Sequence, residues 1–405
     1  MTKKRSVTIQ TKGKANTVRR RLPSGKIIPV CECSHNIDVA DGCISQVPVE
    51  LLREVIDNDG KYAEGNFKRY KAEGVARMGR CLYCYSYANT GNVFPRVVTA
   101  RTRKDFEKYR PKVVRFGKIT ELGHPYYYKT LLGILDLCEE FGAGIIFPNK
   151  MLPFGIQGAR ETTKYARGGN DIVTRLAEEN KLLPGEKLAE KLRNINDKSY
   201  GVTLMYSLGW DCFEPGAVSQ GFTNQWRIEQ GINYFREGVN DSLTLVCDVT
   251  SSIELNEQRG SCIKSALNAR DTYGINVRLL PLRPPSKDFC AMAIGDTRDG
   301  AMDHTDPFPL VVTERDIGTI ERGARYRPRG NKELIPNFFH PDFQKLVDEG
   351  VGVCGTVGRE EYCDKCNLTD VRIVFPVSQI PSIIYDKKDS WGKKNKKNYP
   401  LFDLL

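Results

Sequence analysis

The chain has 405 residues, of which 40% are hydrophobic and 9% aromatic, so it can bury a large core and is not disordered as a whole. Its formal net charge is +11, and its 13 cysteines are odd in number and unevenly grouped, which disfavours a disulfide scaffold and favours reduced thiols. No apolar run approaches the roughly 18–20 residues that cross a bilayer, so we expect a cytoplasmic protein without a membrane partner.

The positive charge is concentrated at the two ends of the chain. Residues 1–26 carry nine Lys and Arg and no acid, and residues 387–397 carry six Lys against one Asp. The sequence is therefore divided into a basic N-terminal segment (1–30), a Lys-rich tail (387–405) and a remainder that is slightly acidic. Basic ends bind nucleic acid through its phosphates in some proteins and are simply solvated in others, and both interpretations remain open.

Between residues 75 and 285, short β-branched runs alternate with longer amphipathic stretches. Strands are predicted at 112–116, 143–148, 200–207, 242–248 and 275–281. Helices are predicted at 126–141, 224–237 and 259–273, and 171–193 is predicted to be helical. This alternation predicts an α/β fold with a parallel sheet, either open or closed. In both forms ligands bind at the carboxyl ends of the strands. The flanking segments 31–74 and 286–386 lack this rhythm and are predicted to pack on the sheet as extensions.

The cysteines divide into metal-like groups and isolated residues. Three groups have metal-like spacing: Cys31, Cys33 and Cys43; Cys81 and Cys84; and Cys354, Cys363 and Cys366. A Cys-x-x-Cys turn brings two thiolates to one metal and serves zinc and iron–sulfur clusters alike. Four others lie in or beside apolar segments and are predicted to be small buried hydrophobes: Cys138, Cys212, Cys247 and Cys262.

The segment Cys81-Leu-Tyr-Cys84-Tyr85, at the start of the βα region, resembles the cluster loop of the radical S-adenosylmethionine superfamily. Later strand ends carry further similar features, and these are Arg115-Phe-Gly-Lys-Ile-Thr-Glu121, Phe147-Pro-Asn-Lys150, Glu214-Pro-Gly-Ala217 and Arg227-Ile-Glu229. They resemble the spore photoproduct lyase-like and phage-encoded branches, and the cytoplasm of a phage-infected cell is one location that this resemblance implies. The resemblance covers residues 75–285 and implies a partial parallel (β/α) barrel with N- and C-terminal extensions.

The resemblance also implies cofactors and roles for particular residues. A 4Fe–4S cluster would bind S-adenosylmethionine, which an electron donor would cleave reductively to abstract hydrogen from an unknown substrate. Cys81 and Cys84 would ligate the cluster, Glu121 would accept from the cofactor ammonium, and Lys150 and Arg227 would neutralise a cofactor or substrate carboxylate. Without such a ligand, these three residues are ordinary charges at the rim of a barrel.

The cysteine spacing departs from the usual pattern of the family, because Arg77 stands where a third cysteine is expected. Cys43 is the preferred replacement, with Cys31 and Cys33 behind it. The C-terminal group of Cys354, Cys363 and Cys366 fits either zinc or a second iron–sulfur cluster. Two other functions therefore stay open: a zinc-stabilised nucleic-acid-binding protein, and a barrel that keeps its metal for structure only.

Overall fold

The computed structural model describes thirteen segments of the chain, and the following account concerns these alone. They are residues 5–11, 19–21, 27–29, 35–47, 49, 52–53, 93–117, 120–166, 168–199, 201–211, 214–249, 263–281 and 351–353. Within them, no helix is long and apolar enough to cross a membrane.

Strands and helices alternate along most of the described chain. The strands are β1 (Ile9–Thr11), β2 (Arg19–Arg21), β3 (Ile27–Pro29), β4 (His35–Ile37), β5 (Val113–Phe116), β6 (Gly144–Asn149), β7 (Val202–Leu208), β8 (Leu243–Val249), β9 (Asn276–Pro281) and β10 (Gly352–Val353). The helices are α1 (Ala100–Tyr109), α2 (Tyr128–Phe141), α3 (Gly155–Tyr165), α4 (Ile172–Glu179), α5 (Gly185–Lys198), α6 (Pro215–Ser219), α7 (Asn224–Tyr234) and α8 (Ile263–Tyr273).

Eight of these strands form one sheet in the order β1-β4-β5-β6-β7-β8-β9-β10. All neighbours from β4 to β10 are parallel, and β1 adds an antiparallel edge beside β4. From β4 onwards, the order of the strands in the sheet is their order in the chain, without a reversal. Each new strand is therefore added at the same edge of the sheet. In the described part no pairing joins β10 back to β1, and the sheet is not closed. The separate pair β2–β3 is antiparallel and lies in the basic N-terminal segment.

The two faces of the sheet differ because side chains alternate along each strand. One face, which we call the helix face, carries Val114, Phe116, Ile145, Phe147 and Leu204 in a single apolar core with residues of α1, α2, α3, α4, α5, α7 and α8. The other, which we call the opposite face, carries Val113, Ile146 and Met205 as a separate small apolar cluster. The apolar sides of the described helices therefore all serve one face of the sheet.

The five predicted strands are confirmed to within two residues. The helical region predicted at 171–193 consists of two helices, α4 and α5, and Pro184 is the N-cap of α5. The helix predicted at 224–237 ends at Tyr234, and a π-type turn follows in which Gly238 has a φ of +81°. Strands from both predicted extensions, β4 and β10, join the parallel sheet.

Two of the four isolated cysteines lie in described segments, and both are buried. Cys138 and Cys247 belong to the core of the helix face, with exposed fractions of 0% and 1%. Burial raises the pKa of the Cys138 thiol, which keeps it protonated. The prediction of small buried hydrophobes is confirmed for these two, and Cys212 and Cys262 lie outside the described residues.

Candidate functional site

The three residues predicted to contact a cofactor lie together at the carboxyl edge of the sheet. Glu121 follows β5 and Lys150 follows β6, and Arg227 projects from the second turn of α7, the helix that follows β7. A fourth residue, Glu214, comes after β7 and joins them. Because neighbouring parallel strands end at the same edge, the loops after β5, β6 and β7 meet there.

Lys150 connects the two carboxylates of this cluster. Its backbone N–H donates to Glu121 Oε1 at 2.8 Å, and its Nζ lies 2.6 Å from Glu214 Oε1. The loop that presents Lys150 is held by Asn149, whose Nδ2 donates to the carbonyl of Met205 and whose Oδ1 accepts from the N–H of Leu152. Backbone and side chain of one lysine thus hold both acids in place.

Arg227 is fully buried and approaches the cluster from the helix face. Its guanidinium contacts Glu214 Oε2 and donates to the carbonyl of Ser207 and to Asn224 Oδ1, both at 3.1 Å. Glu214 therefore meets a different cation with each of its oxygens, although its own exposed fraction is 0%. Pairing a buried carboxylate with two cations offsets the large cost of removing its charge from water.

Two glycine turns make the cluster geometrically possible. Gly117 has a φ of +64°, and a Cβ at that position would lie 2.3 Å from the carbonyl oxygen of Thr120, in the loop that leads to Glu121. Gly221 has a φ of +92°, and a Cβ there would lie 2.2 Å from the carbonyl oxygen of Thr162. Only glycine adopts these conformations without strain and fits the space.

Burial shifts the pKa of the acids in this region upwards. Burial raises the pKa of Glu121 to about 7, against the opposing effect of the Lys150 N–H and the positive charges of Lys150 and Arg227. It also raises the pKa of Asp211, which precedes Glu214, and that of Glu214, where Arg227 opposes the rise. With Asp211 included, the cluster has three carboxylates and two cations among the described residues.

The loop that carries Cys43 is fastened to the same edge. Gln220, directly after α6, donates through Nε2 to the carbonyls of Ile44 and Val47, at 3.2 and 2.8 Å. Its Oε1 lies 2.9 Å from His124 Nε2. Because His124 Nδ1 accepts from the N–H of Tyr126, Nε2 carries the proton and donates to Gln220.

His124 thus caps a helical turn and clamps this loop. Burial lowers its pKa to about 3, so the ring is neutral and holds this single hydrogen-bonding arrangement. Cys43 itself is half-buried, with its Sγ 2.9 Å from Ser45 Oγ.

Apart from Cys43, the predicted metal ligands lie outside the described residues. They are Cys31, Cys33, Cys81, Cys84, Cys354, Cys363 and Cys366. In the segments that the structure does describe, no group of three His, Cys, Asp or Glu side chains is arranged to hold a metal ion. The metal predictions consequently stay predictions.

Sequence reasoning located four members of the cluster, including Glu214 at the end of a predicted strand, but not Asp211 or the supporting residue Gln220. Gln220 gave no motif signal, because its role depends on two loops that are 170 residues apart in the chain meeting at one edge. Asp211 could have been found as an acid soon after a predicted strand.

Comparison with known proteins adds no family: no family model matches the chain, and no curated protein matches it. The geometry and charge of the carboxyl edge are therefore the basis for assigning a function.

Proposed function

We propose that the protein is an iron–sulfur enzyme of the radical S-adenosylmethionine type, with its active site at the carboxyl edge of a partial (β/α) barrel. The observation that carries the proposal is Glu121, a buried carboxylate at the end of β5 that lies where the resemblance requires an acceptor for the cofactor ammonium. The alternative of a zinc-stabilised nucleic-acid-binding protein gives no reason for burying Glu121, Glu214 and Arg227 at one edge of the sheet.

The sheet supports a barrel rather than a doubly wound fold. An open parallel sheet is covered by helices on both faces, and its strand order reverses at a switch point. Here the order from β4 to β10 is monotonic, and the described helices pack on one face. A sheet wound in one direction with helices outside is the arrangement of (β/α) barrels.

The charge of the cluster fits a cationic ligand. With the three carboxylates ionised, two cations leave one negative charge in excess among the described residues. A ligand ammonium beside Glu121 would neutralise that charge and lower the carboxyl pKa, because an opposite charge favours the ionised form. The ammonium of S-adenosylmethionine suits this position, whereas the side chains of Lys150 and Arg227 are paired with Glu214.

The protein's own residues would bind, orient and exclude water. S-adenosylmethionine bound to a reduced iron–sulfur cluster would supply the one-electron chemistry. None of the charged side chains at the carboxyl edge provides that chemistry. Glu121 would hold the ammonium, the Lys150–Glu214–Arg227 chain would hold Glu121 and its loop rigid, and the clamp made by His124 and Gln220 would keep the Cys43 loop against the edge. Cys81 and Cys84 remain the predicted ligands of the cluster, with Cys43 as the third.

Anaerobic purification and reconstitution of the full chain test this proposal. We expect about four iron atoms per chain, with thiolate-to-iron charge-transfer absorbance. Replacing Cys81 and Cys84 together by serine should abolish both signals, whereas Cys138→Ala, which removes a core thiol, should retain them. A colourless protein with less than about one iron atom per chain after reconstitution would refute the proposal, and stoichiometric zinc in its place would favour the nucleic-acid-binding alternative.

The cofactor site is tested separately by binding. The affinity for S-adenosylmethionine should rise as the pH increases through about 7, because Glu121 must ionise to accept the ammonium. In Glu121→Gln this pH dependence should disappear and the affinity should fall at least about tenfold. Equal affinities of the two proteins at pH 8 would exclude Glu121 as the acceptor.

A further inference from the structure

Within the described segments, Arg115 is a cation near the carboxyl edge that does not belong to the cluster. It is the penultimate residue of β5, and the alternation of that strand puts Val114 and Phe116 in the core of the helix face and Val113 on the opposite face. Arg115 has the parity of Val113, so it projects from the opposite face. In register it pairs with Asn36 of β4 and with Ile146 of β6.

Arg115 is partly buried, and its Nε is buried without a hydrogen-bond acceptor in the part of the chain that the structure describes. In Arg227, the two terminal nitrogens of the guanidinium are the ones that contact Glu214, Ser207 and Asn224. A buried donor without an acceptor carries a desolvation cost that a bound anion would remove.

The neighbours of Arg115 complete a small binding surface. Asn36, with an exposed fraction of 3%, is paired in register with Arg115 and therefore projects from the same face, and Ile146 and Met205 belong to the apolar cluster of that face. A mostly apolar surface with a few convergent polar donors is typical of ligand sites. A guanidinium presents several N–H donors in a planar fork that matches the oxygens of a carboxylate or phosphate.

We propose that Arg115 and Asn36 form a subsite for an oxyanion, a carboxylate or phosphate, on the opposite face of the sheet. The subsite deepens the proposed function. It rests on that function only where the anion is identified as part of an enzyme ligand, which is either the substrate or the carboxylate of the cofactor. Anion binding at Arg115 itself requires neither the iron–sulfur cluster nor the cofactor.

The test uses inorganic phosphate and acetate as probes of the full chain. At constant ionic strength, calorimetric titration should give saturable binding of at least one anion to the wild type. Arg115→Gln should weaken that binding at least tenfold, and Arg115→Lys should retain part of it. Arg101→Gln is the matched control, because Arg101 is exposed on α1, and it should bind as the wild type does.

Two results would overturn the subsite: no saturable binding to the wild type, or the same affinity in Arg115→Gln. Melting temperatures without anion check that each variant is folded, and Arg115→Lys carries the comparison if the Gln variant is not. Competition then identifies the source. If phosphate displaces S-adenosylmethionine from the wild type but not from Arg115→Gln, the oxyanion is that of the cofactor, and if the two bind together, it is that of the substrate.

These readouts are independent of the proposed function. A protein without iron that still binds phosphate through Arg115 would refute the enzyme proposal and retain the subsite. An iron–sulfur protein whose wild type and Arg115→Gln variant bind the anions equally well would support the enzyme proposal and refute the subsite.

Discussion

The core of the helix face and the cluster at the carboxyl edge are equally buried and chemically opposite. Leu204, in the middle of β7, has an exposed fraction of 0%, and so have Glu214 and Arg227 just beyond the end of that strand. Apolar burial stabilises the fold, whereas buried ion pairs at best recover the cost of their desolvation. Burial alone therefore does not distinguish a stabilising region from a functional one, and the chemistry of the buried groups does.

The largest expected effect comes from breaking the charged cluster at one partner. Arg227→Met leaves Glu214 buried with only Lys150 beside it, and we expect a loss of about 3–5 kcal/mol in the free energy of unfolding, measured in urea. The double variant Arg227→Met with Glu214→Leu should recover most of that loss, because neither buried charge then remains unpaired. Additive losses would instead mean that Arg227 and Glu214 do not interact energetically, and the contrast between the two regions would fail.

Truncating the apolar core should cost stability without changing the site. Leu204→Ala removes a buried side chain of the helix face and should lower the free energy of unfolding by about 2–5 kcal/mol. The affinity of the folded variant for S-adenosylmethionine, measured by titration, should match that of the wild type. Leu267→Ala, at a partly buried position of α8, is the control and should cost less. A loss of ligand affinity in Leu204→Ala would show that core and edge are coupled.

A smaller effect should separate the regions by pH. Because the pKa of Glu121 is about 7 in the folded protein and near 4.5 in the unfolded chain, the folded state holds its proton more tightly. The stability of the wild type should therefore fall as the pH rises from about 4.5 to about 7, by at most about 3 kcal/mol from this group.

Glu121→Gln should abolish this contribution. Between acidic pH and pH 7 or above, the variant should therefore lose less stability than the wild type does. Urea unfolding of both proteins at a series of pH values measures the difference. Glu107→Gln, which alters an exposed acid of α1, should follow the wild-type profile. Parallel profiles for Glu121→Gln and the wild type would show that the pKa of Glu121 is the same in the folded and unfolded states.

The sequence by itself determined five strands and most helices in the described part of residues 112–281, because strand and helix periodicities are local, but it did not indicate α3. It also indicated which strand ends would carry charge, so Glu121, Lys150 and Arg227 could be named in advance. It did not reveal that Arg227 is fully buried, since a rim charge and a buried charge have the same sequence pattern. The break between α4 and α5 lies in a region that was predicted only as helical, without internal boundaries.

Only the tertiary structure decided how these residues are combined. The strand order put the ends of β5, β6 and β7 side by side, and this brought Glu214 between two cations from different loops. It also brought Gln220 against the Cys43 loop and separated Arg115 from the cluster by turning it to the opposite face. The physical reason is that pairing, facing and burial depend on contacts between residues far apart in the chain, which local periodicity does not contain.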